Sequence, residues 1–84
     1  MSAPKRFVYV LRSVTNAARY YTGVTSSPRL RLQAHNSGKC PHRSGGGPWK
    51  IDVVVAFADE GRALAFERYL KSGSGYAFAK RHLR

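Results

Sequence analysis

Two short runs of β-branched and aromatic residues near the start of the chain constrain its fold more than any other feature. They are Phe7–Leu11 and Arg19–Val24, and the turn-forming residues Thr15–Ala17 lie between them. Runs of this kind around a short turn predict an antiparallel β-hairpin. Each run contains tyrosine, and Gly23 interrupts the second run near its end. The hairpin is the first element that any proposed fold must contain.

The rest of the sequence predicts one more strand and two or three helices. Serine or aspartate precedes each of the first two helices as an N-cap, and proline follows the serine in the first turn. In chain order, the first predicted elements are a helix from Ser27-Pro28 to about Ser37, which stops at Gly38, and a strand over Trp49–Ala58. A helix over Glu60–Lys71 follows Asp59, and a short basic helix over Tyr76–Leu83 follows the chain-breaking Gly73 and Gly75. The valines of the third strand predict burial on both of its faces. The order ββαβα(α) predicts a small α+β domain with a three-stranded antiparallel or mixed sheet.

The charge of the chain favours a polyanionic partner. Its 84 residues suffice for one small domain over residues 1–84, and 15 Lys and Arg against 4 Asp and Glu give a net charge of +11. Such an excess favours nucleic acid as the partner. A membrane surface is the weaker alternative, because no predicted helix is both long and strongly amphipathic.

The cysteine content and the first apolar run bear on the location of the protein. A single cysteine excludes an intrachain disulfide and fits a reducing, cytoplasmic location. The first apolar run is too short for a signal peptide or membrane span.

The two tyrosines of the hairpin allow two interpretations. A turn centred on Thr15 would place Tyr9 opposite Tyr21, with both phenols on one face of the sheet. Two such rings can simply cover the edge of a core, or they can form part of a site. Gly23 favours the second interpretation, because glycine within a strand is typical of a bulge or of the close approach of a backbone or ligand.

Arg31 and His35 are four residues apart in the first helix, so they share one of its faces. A guanidinium binds phosphate through two hydrogen bonds, and an imidazole transfers protons near neutral pH. Taken singly, Arg31 fits a solvated basic residue and His35 fits a cap for the end of the helix. Their placement directly after the tyrosine hairpin favours a site.

Glu67 is the acidic residue with the least obvious structural role. It falls within the apolar stripe that Ala63, Phe66 and Leu70 define on the second helix. A carboxylate on the buried side of a helix needs a cation, so a salt bridge to an arginine and a metal site both remain open. The few scattered acidic residues exclude a two-metal centre of clustered carboxylates. A site in which one carboxylate binds one divalent ion, and water and phosphate oxygens supply the other ligands, suits Mg²⁺.

Motifs along the chain resemble those of one nuclease family. Phe7–Tyr9 and Tyr21–Gly23 take the places of its two tyrosine half-motifs. Its helix pattern R-L-x-x-H-N-x-G is matched by RLQAHNSG at residues 31–38, and its later glutamate with a lysine four residues on is matched by Glu67 and Lys71. Over nearly its whole length the chain therefore resembles the GIY-YIG nuclease domain, specifically the small stand-alone proteins related to the excision-repair nuclease subunit and the structure-specific junction endonucleases.

The sequence departs from the family pattern at three places. Phe7 stands where the family name implies glycine, and Thr22 replaces isoleucine in the second half-motif. The swap to threonine keeps a β-branched residue and should preserve the strand. Ser27-Pro28 stands where an acidic or amide residue and leucine are commoner, which affects the entry to the helix and no proposed catalytic atom.

The resemblance implies a metal-dependent endonuclease that hydrolyses DNA phosphodiester bonds by a one-metal mechanism, in repair or recombination. Glu67 would hold Mg²⁺ or Mn²⁺, and Arg31 would neutralise charge on the non-bridging oxygens. Tyr9 and Tyr21 would position or deprotonate the attacking water, with His35 as another proton acceptor; which of them is the base stays open. Because a free tyrosine has a pKa of about 10, a basic tyrosine needs nearby cations. The residues expected to bind the DNA backbone are Arg29, Lys39, Arg43, Lys71, Lys80 and Arg81.

The rival function is a basic nucleic-acid-binding module that has the same fold and no activity. The residues that separate the two functions are Tyr9, Tyr21, Arg31 and Glu67, because a pure binder has no need of all four. All are present, which favours the enzyme. A partner protein leaves no readable pattern in this sequence.

Overall fold

A three-stranded antiparallel sheet with strand order β2-β1-β3 organises the computed structural model, which describes residues 6–16, 18–37 and 48–83. The elements are β1 (Arg6–Ser13), β2 (Tyr20–Thr25), α1 (Pro28–Asn36), β3 (Trp49–Phe57), α2 (Glu60–Leu70) and α3 (Gly73–His82). The predicted α+β class and element order are confirmed. Within the described ranges, none of the helices is long and apolar enough to cross a membrane.

β1 is the central strand and the most buried one. All residues from Val8 to Leu11 are buried, because β1 is paired on both edges and packed on both faces. The prediction that Trp49–Ala58 is buried on both faces is wrong. Among the described strands, β3 pairs with β1 along one edge and with none along the other, and Val54 in its centre is 40% exposed. A run of valines therefore identified a strand here without identifying its position in the sheet.

The hairpin between β1 and β2 turns one residue later than predicted. Tyr9 pairs with Gly23 and Leu11 pairs with Tyr21, so the predicted Tyr9–Tyr21 pairing is wrong by two residues. The turn is centred on Asn16, whose backbone N–H donates to Ser13 Oγ at 3.1 Å. Side chains in a strand alternate with a period of two, so a shift of two residues returns both tyrosines to the same face.

The two faces of the sheet are covered by different helices. Val8 and Val10 of β1 pack against α2 and α3 in one cluster with Ala63, Leu70 and Ala79. The alternate β1 residues, Tyr9 and Leu11, face the other way and pack with Trp49 of β3, Tyr21 of β2 and Leu32 of α1. We call these the apolar face and the tyrosine face of the sheet.

Side-chain caps set the starts of the helices. Ser27 Oγ accepts a hydrogen bond from the Leu30 N–H, and Asp59 Oδ2 accepts one from the Arg62 N–H. Both N-caps are as predicted. α1 ends at Asn36 with Ser37 as its C-cap, and α2 ends one residue earlier than predicted, at Leu70. Gly38, predicted to stop α1, lies outside the described residues.

α3 begins at Gly73 rather than at Tyr76, so the prediction that Gly73 and Gly75 break the chain is wrong. Ser72 caps this helix by accepting a hydrogen bond from the Gly75 N–H. A Cβ atom on Gly75 would collide with the backbone carbonyl of Tyr69. Gly75 therefore allows the first turn of α3 to approach the end of α2 closely, which fixes α3 on the apolar face.

Candidate active site

Polar aromatic side chains form the centre of the tyrosine face. Tyr9 and His35 are 1% and 5% exposed, although both carry polar atoms. The ring centroids of Tyr9 and Tyr21 are 6.1 Å apart, and those of Tyr21 and His35 are 4.7 Å apart. Trp49, 3% exposed, lies with its ring centroid 6.4 Å from that of His35. Three strands and one helix thus bring these four rings into one cluster.

Gly23 makes room for the Tyr9 phenol. The two residues are directly opposite each other across β1 and β2. A Cβ atom at position 23 would lie 2.6 Å from the phenol oxygen and 2.8 Å from its ring carbon Cζ. The sequence predicted a bulge or the close approach of a backbone or ligand at Gly23; the group that approaches it is instead the Tyr9 side chain of the neighbouring strand.

Arg31 reaches the same phenol from α1. Burial raises the pKa of the Tyr9 phenol; a hydrogen bond with the Arg31 side chain opposes this rise, and Tyr21 adds to it. The sequence predicted that cations would lower the pKa of a catalytic tyrosine. For Tyr9 the net direction is the opposite, because the effect of burial is larger than that of Arg31. Tyr9 is therefore protonated at neutral pH and suited to donate a hydrogen bond rather than to act as a base.

Two residues with no predicted role complete this part of the site. The Asn36 amide bonds to the backbone of Trp49 in both directions, with Nδ2–H donating to the carbonyl at 2.9 Å and the Trp49 N–H donating to Oδ1 at 2.6 Å. Asn36 belongs to the stretch RLQAHNSG that carried the family resemblance. The sequence motif therefore included Asn36, but no function was predicted for it. Trp49 was predicted only as the start of a strand. In the structure its indole ring lies beside the imidazole ring of His35.

Glu67 lies on α2, and α2 covers the apolar face. The other four predicted catalytic residues are together on the tyrosine face, whereas Glu67 belongs to the helix that packs on the apolar face. α2 also contacts β2, the edge strand that carries Tyr21.

The Glu67 carboxylate has a cation as its partner, as its position on the helix required. In the part of the chain that the structure describes, this cation is Lys71, one helical turn later, rather than the predicted arginine. The Glu67 side chain is 19% exposed and that of Lys71 is 52% exposed, so the lysine can move into solvent. Among the described residues, no three His, Cys, Asp or Glu side chains meet to hold a metal. A lone, partly buried carboxylate that already accommodates positive charge fits a divalent ion held mainly by water and phosphate oxygens.

The residues predicted to bind the DNA backbone are divided between the two sides of the sheet. Arg29 is exposed on α1, on the tyrosine side. Lys80 and Arg81 are exposed in the last turn of α3, and Lys71 lies just after α2, so these three are on the other side. Lys39 and Arg43 lie outside the described residues.

The comparisons with known proteins agree with this arrangement. Residues 5–78 match the family profile described as the GIY-YIG catalytic domain. The structure-specific endonuclease subunit SLX1 of Candida dubliniensis is 32% identical over 83 residues, which cover 90% of this chain and 28% of that protein. A UPF0213 protein of Aeromonas hydrophila is 36% identical over 69 residues, 81% of this chain and 49% of that protein. A UPF0213 protein of Oceanobacillus iheyensis is 32% identical over 68 residues, 80% and 77% of the two chains.

The chain spans less than a third of the SLX1 relative and about half of the Aeromonas hydrophila relative. The part of SLX1 that it matches is therefore only one portion of a longer protein. The family match nevertheless covers most of this chain, and it confirms the resemblance to the GIY-YIG domain and supports the endonuclease class.

Proposed function

The chain belongs to the GIY-YIG family, and we propose that it is a metal-dependent endonuclease that hydrolyses phosphodiester bonds of DNA. The observation that carries this proposal is the cluster of Tyr9, Tyr21 and His35, in which the Arg31 side chain is hydrogen-bonded to the Tyr9 phenol. A binding protein would have no use for buried phenols and an imidazole in mutual contact, since phosphate binding needs only exposed cations.

Each residue of the tyrosine face has a chemical role in this proposal. Arg31 neutralises the charge that develops on the non-bridging oxygens of the phosphate during attack by water. Tyr9 remains protonated and orients the water or the phosphate by donating a hydrogen bond. The proton of the water passes to the neutral imidazole of His35, or to Tyr21 if that phenol has first given up its own proton; the two rings are in contact. Burial of Tyr9 thus narrows the choice of base from three residues to two.

Glu67 supplies the carboxylate for the divalent ion, which we propose to be Mg²⁺ or Mn²⁺, as nucleases of this family are metal-dependent. When bound, the ion provides Lewis-acid stabilisation of negative charge at the scissile phosphate. Lys71 moves away from Glu67 and becomes available to the DNA backbone, as its exposed side chain allows. We place the scissile phosphate at the edge of β2, because β2 carries Tyr21 and is in contact with α2.

The substrate proposed is DNA with a branched or otherwise irregular structure. SLX1, the relative from Candida dubliniensis, is by its name a subunit of a structure-specific endonuclease. By analogy we propose a role in DNA repair or recombination, in the cytoplasm of its cell, together with a partner protein. The net charge of +11 supplies affinity for the backbone without a preference for base sequence.

A cleavage panel tests the proposal. Single strands, duplexes, flaps and four-way junctions, as DNA and as RNA, are incubated with the protein in Mg²⁺, in Mn²⁺ and in chelator. We expect cleavage of at least one branched DNA in the presence of metal and none in chelator. Tight, salt-sensitive binding of every substrate without any cleavage would identify the chain as a binding module instead.

A further inference from the structure

The side-chain amide of Asn36 joins the ends of two elements that are far apart in the sequence. Asn36 is the last residue of α1 and Trp49 is the first residue of β3. The two hydrogen bonds between them use both polar atoms of the amide and both backbone groups of Trp49. This is the pairing that a neighbouring strand would offer, so the amide takes the place of one residue of a β-ladder.

The position of His35 depends on both ends of this link. His35 precedes Asn36 in the last turn of α1, where a helix has few hydrogen bonds of its own to hold it. Its ring lies between Tyr21, 4.7 Å away between centroids, and Trp49, 6.4 Å away. A change in the distance between the end of α1 and the start of β3 would therefore move the imidazole relative to the Tyr21 phenol.

The other polar and apolar contacts of α1 described below act on its earlier turns. Arg31 bonds to Tyr9 one turn earlier, and Leu32 packs against the cluster from the same turn. Ser27 caps the opposite end. At the C-terminal end of α1, the Asn36 amide ties the helix to β3 by two hydrogen bonds.

We infer that Asn36 is a positioning residue, which holds the His35 imidazole against Tyr21 by pairing with the backbone of Trp49. This inference rests on the proposed function for its effect on turnover, and on the structure alone for its effect on the His35 ring. A displacement of a reacting group by about 1 Å can cost on the order of a hundredfold in rate.

Asn36→Ala tests the inference, with Asn16→Ala as the matched control. Asn16 accepts one exposed hydrogen bond from the Ala18 N–H in the hairpin turn and has no part in the proposed link. Trp49 is the only tryptophan of the chain, so its fluorescence emission reports on this one position. The His35 ring proton resonances report on the imidazole in the free protein.

For Asn36→Ala we expect a shift of the Trp49 emission to longer wavelength and a change in the His35 ring resonances. We also expect kcat to fall by roughly ten- to a hundredfold, with KM within about twofold of the wild type. Asn36→Asp keeps the acceptor for the Trp49 N–H and should have intermediate effects; it replaces the alanine variant if that variant does not fold. Asn16→Ala should match the wild type in all of these measurements.

Two results would overturn the inference. Unchanged His35 resonances in Asn36→Ala would mean that the amide does not position the ring. A normal kcat despite a displaced ring would mean that the link is only structural. If the wild type cleaves no substrate, the proposed function fails, whereas the emission and resonance measurements still decide whether Asn36 positions His35.

Discussion

The two faces of one small sheet differ in what they bury. The apolar face buries valine, alanine and leucine side chains against α2 and α3. The tyrosine face buries Tyr9, His35 and Trp49, all of which carry polar atoms. Burying polar groups stabilises a fold less than burying apolar ones. A domain this small thus uses one face of the sheet for stability and gives much of the other to a polar site.

β1 shows this division most clearly, because neighbouring residues serve opposite faces. Val8 and Val10 belong to the apolar cluster, whereas Tyr9 belongs to the cluster with Trp49. Substitutions on the tyrosine face should therefore reduce turnover more than stability, and substitutions on the apolar face should do the reverse. Glu67 is the exception, since its helix covers the apolar face while its carboxylate belongs to the proposed site.

Glu67→Gln should have the largest effect, and it tests that exception. We expect no measurable cleavage at any Mg²⁺ concentration, because the proposed site has no second carboxylate to replace it. Unfolding should change little, since an ion pair between residues four apart on a helix contributes only about 0.3–0.5 kcal/mol. The matched control is Glu60→Gln, which removes an exposed carboxylate of the same helix from its ion pair with Arg6. Persistent cleavage with a sharp loss of stability would assign Glu67 to the apolar core.

Arg31→Ala should reduce kcat by about 10²–10³, as the loss of a donor to an oxyanion does. Affinity for DNA should be nearly unchanged, because many other basic residues of the chain remain. Arg29→Ala is the control, since Arg29 is an exposed arginine of the same helix. Equal losses of affinity in both variants with normal turnover at saturation would make Arg31 a docking residue.

Gly23→Ala should reduce kcat on the order of a hundredfold, because the new Cβ would displace the Tyr9 phenol from the site. Crowding within a packed face should also cost about 1–3 kcal/mol in the free energy of unfolding. Gly73→Ala provides the control, since a Cβ there meets nothing within 4 Å. Kinetics and urea unfolding of both variants check the prediction. Normal turnover in Gly23→Ala would separate Tyr9 from catalysis.

The smallest expected effect concerns alkaline pH. Burial raises the pKa of the Tyr9 phenol above its ordinary value of 10.0, so this group favours the folded state below about pH 10 and loses that contribution as pH rises further. Tyr9→Phe has no such proton, and its stability should fall less steeply than that of the wild type above pH 10. Chemical unfolding at a series of pH values measures both slopes. Parallel curves would show that the phenol is not held neutral by burial.

Local patterns predicted most of the fold and part of the site. Caps at Ser27 and Asp59 set the helices, and the hairpin signal set β1 and β2, because these depend on residues close in sequence. The register of β1 against β2 and the burial of β3 depend on how the strands pair, and both were predicted wrongly. The tyrosines nevertheless fell on one face, because an error of two residues preserves the alternation of a strand.

The site was harder to predict than the fold where burial decided the chemistry. Tyr9, Tyr21, Arg31 and His35 were identified by type and spacing, and the structure brings them together. The raised pKa of Tyr9 follows from its burial beneath the cluster, which a strand pattern does not specify. Asn36 and Trp49 were missed as site residues because their contact is between a side chain and a backbone distant in sequence.

The most direct test of the division between the faces compares Val8→Ala with Tyr9→Phe, since these neighbours in β1 point to opposite faces. Unfolding free energy and kcat on the best branched DNA substrate are measured for both variants and the wild type. We expect Val8→Ala to lose about 2 kcal/mol and keep its kcat. Tyr9→Phe should lose about 1 kcal/mol or less and about tenfold or more in kcat. Equal kcat in the two variants, with the greater loss of stability in Tyr9→Phe, would contradict the account and return Tyr9 to the core.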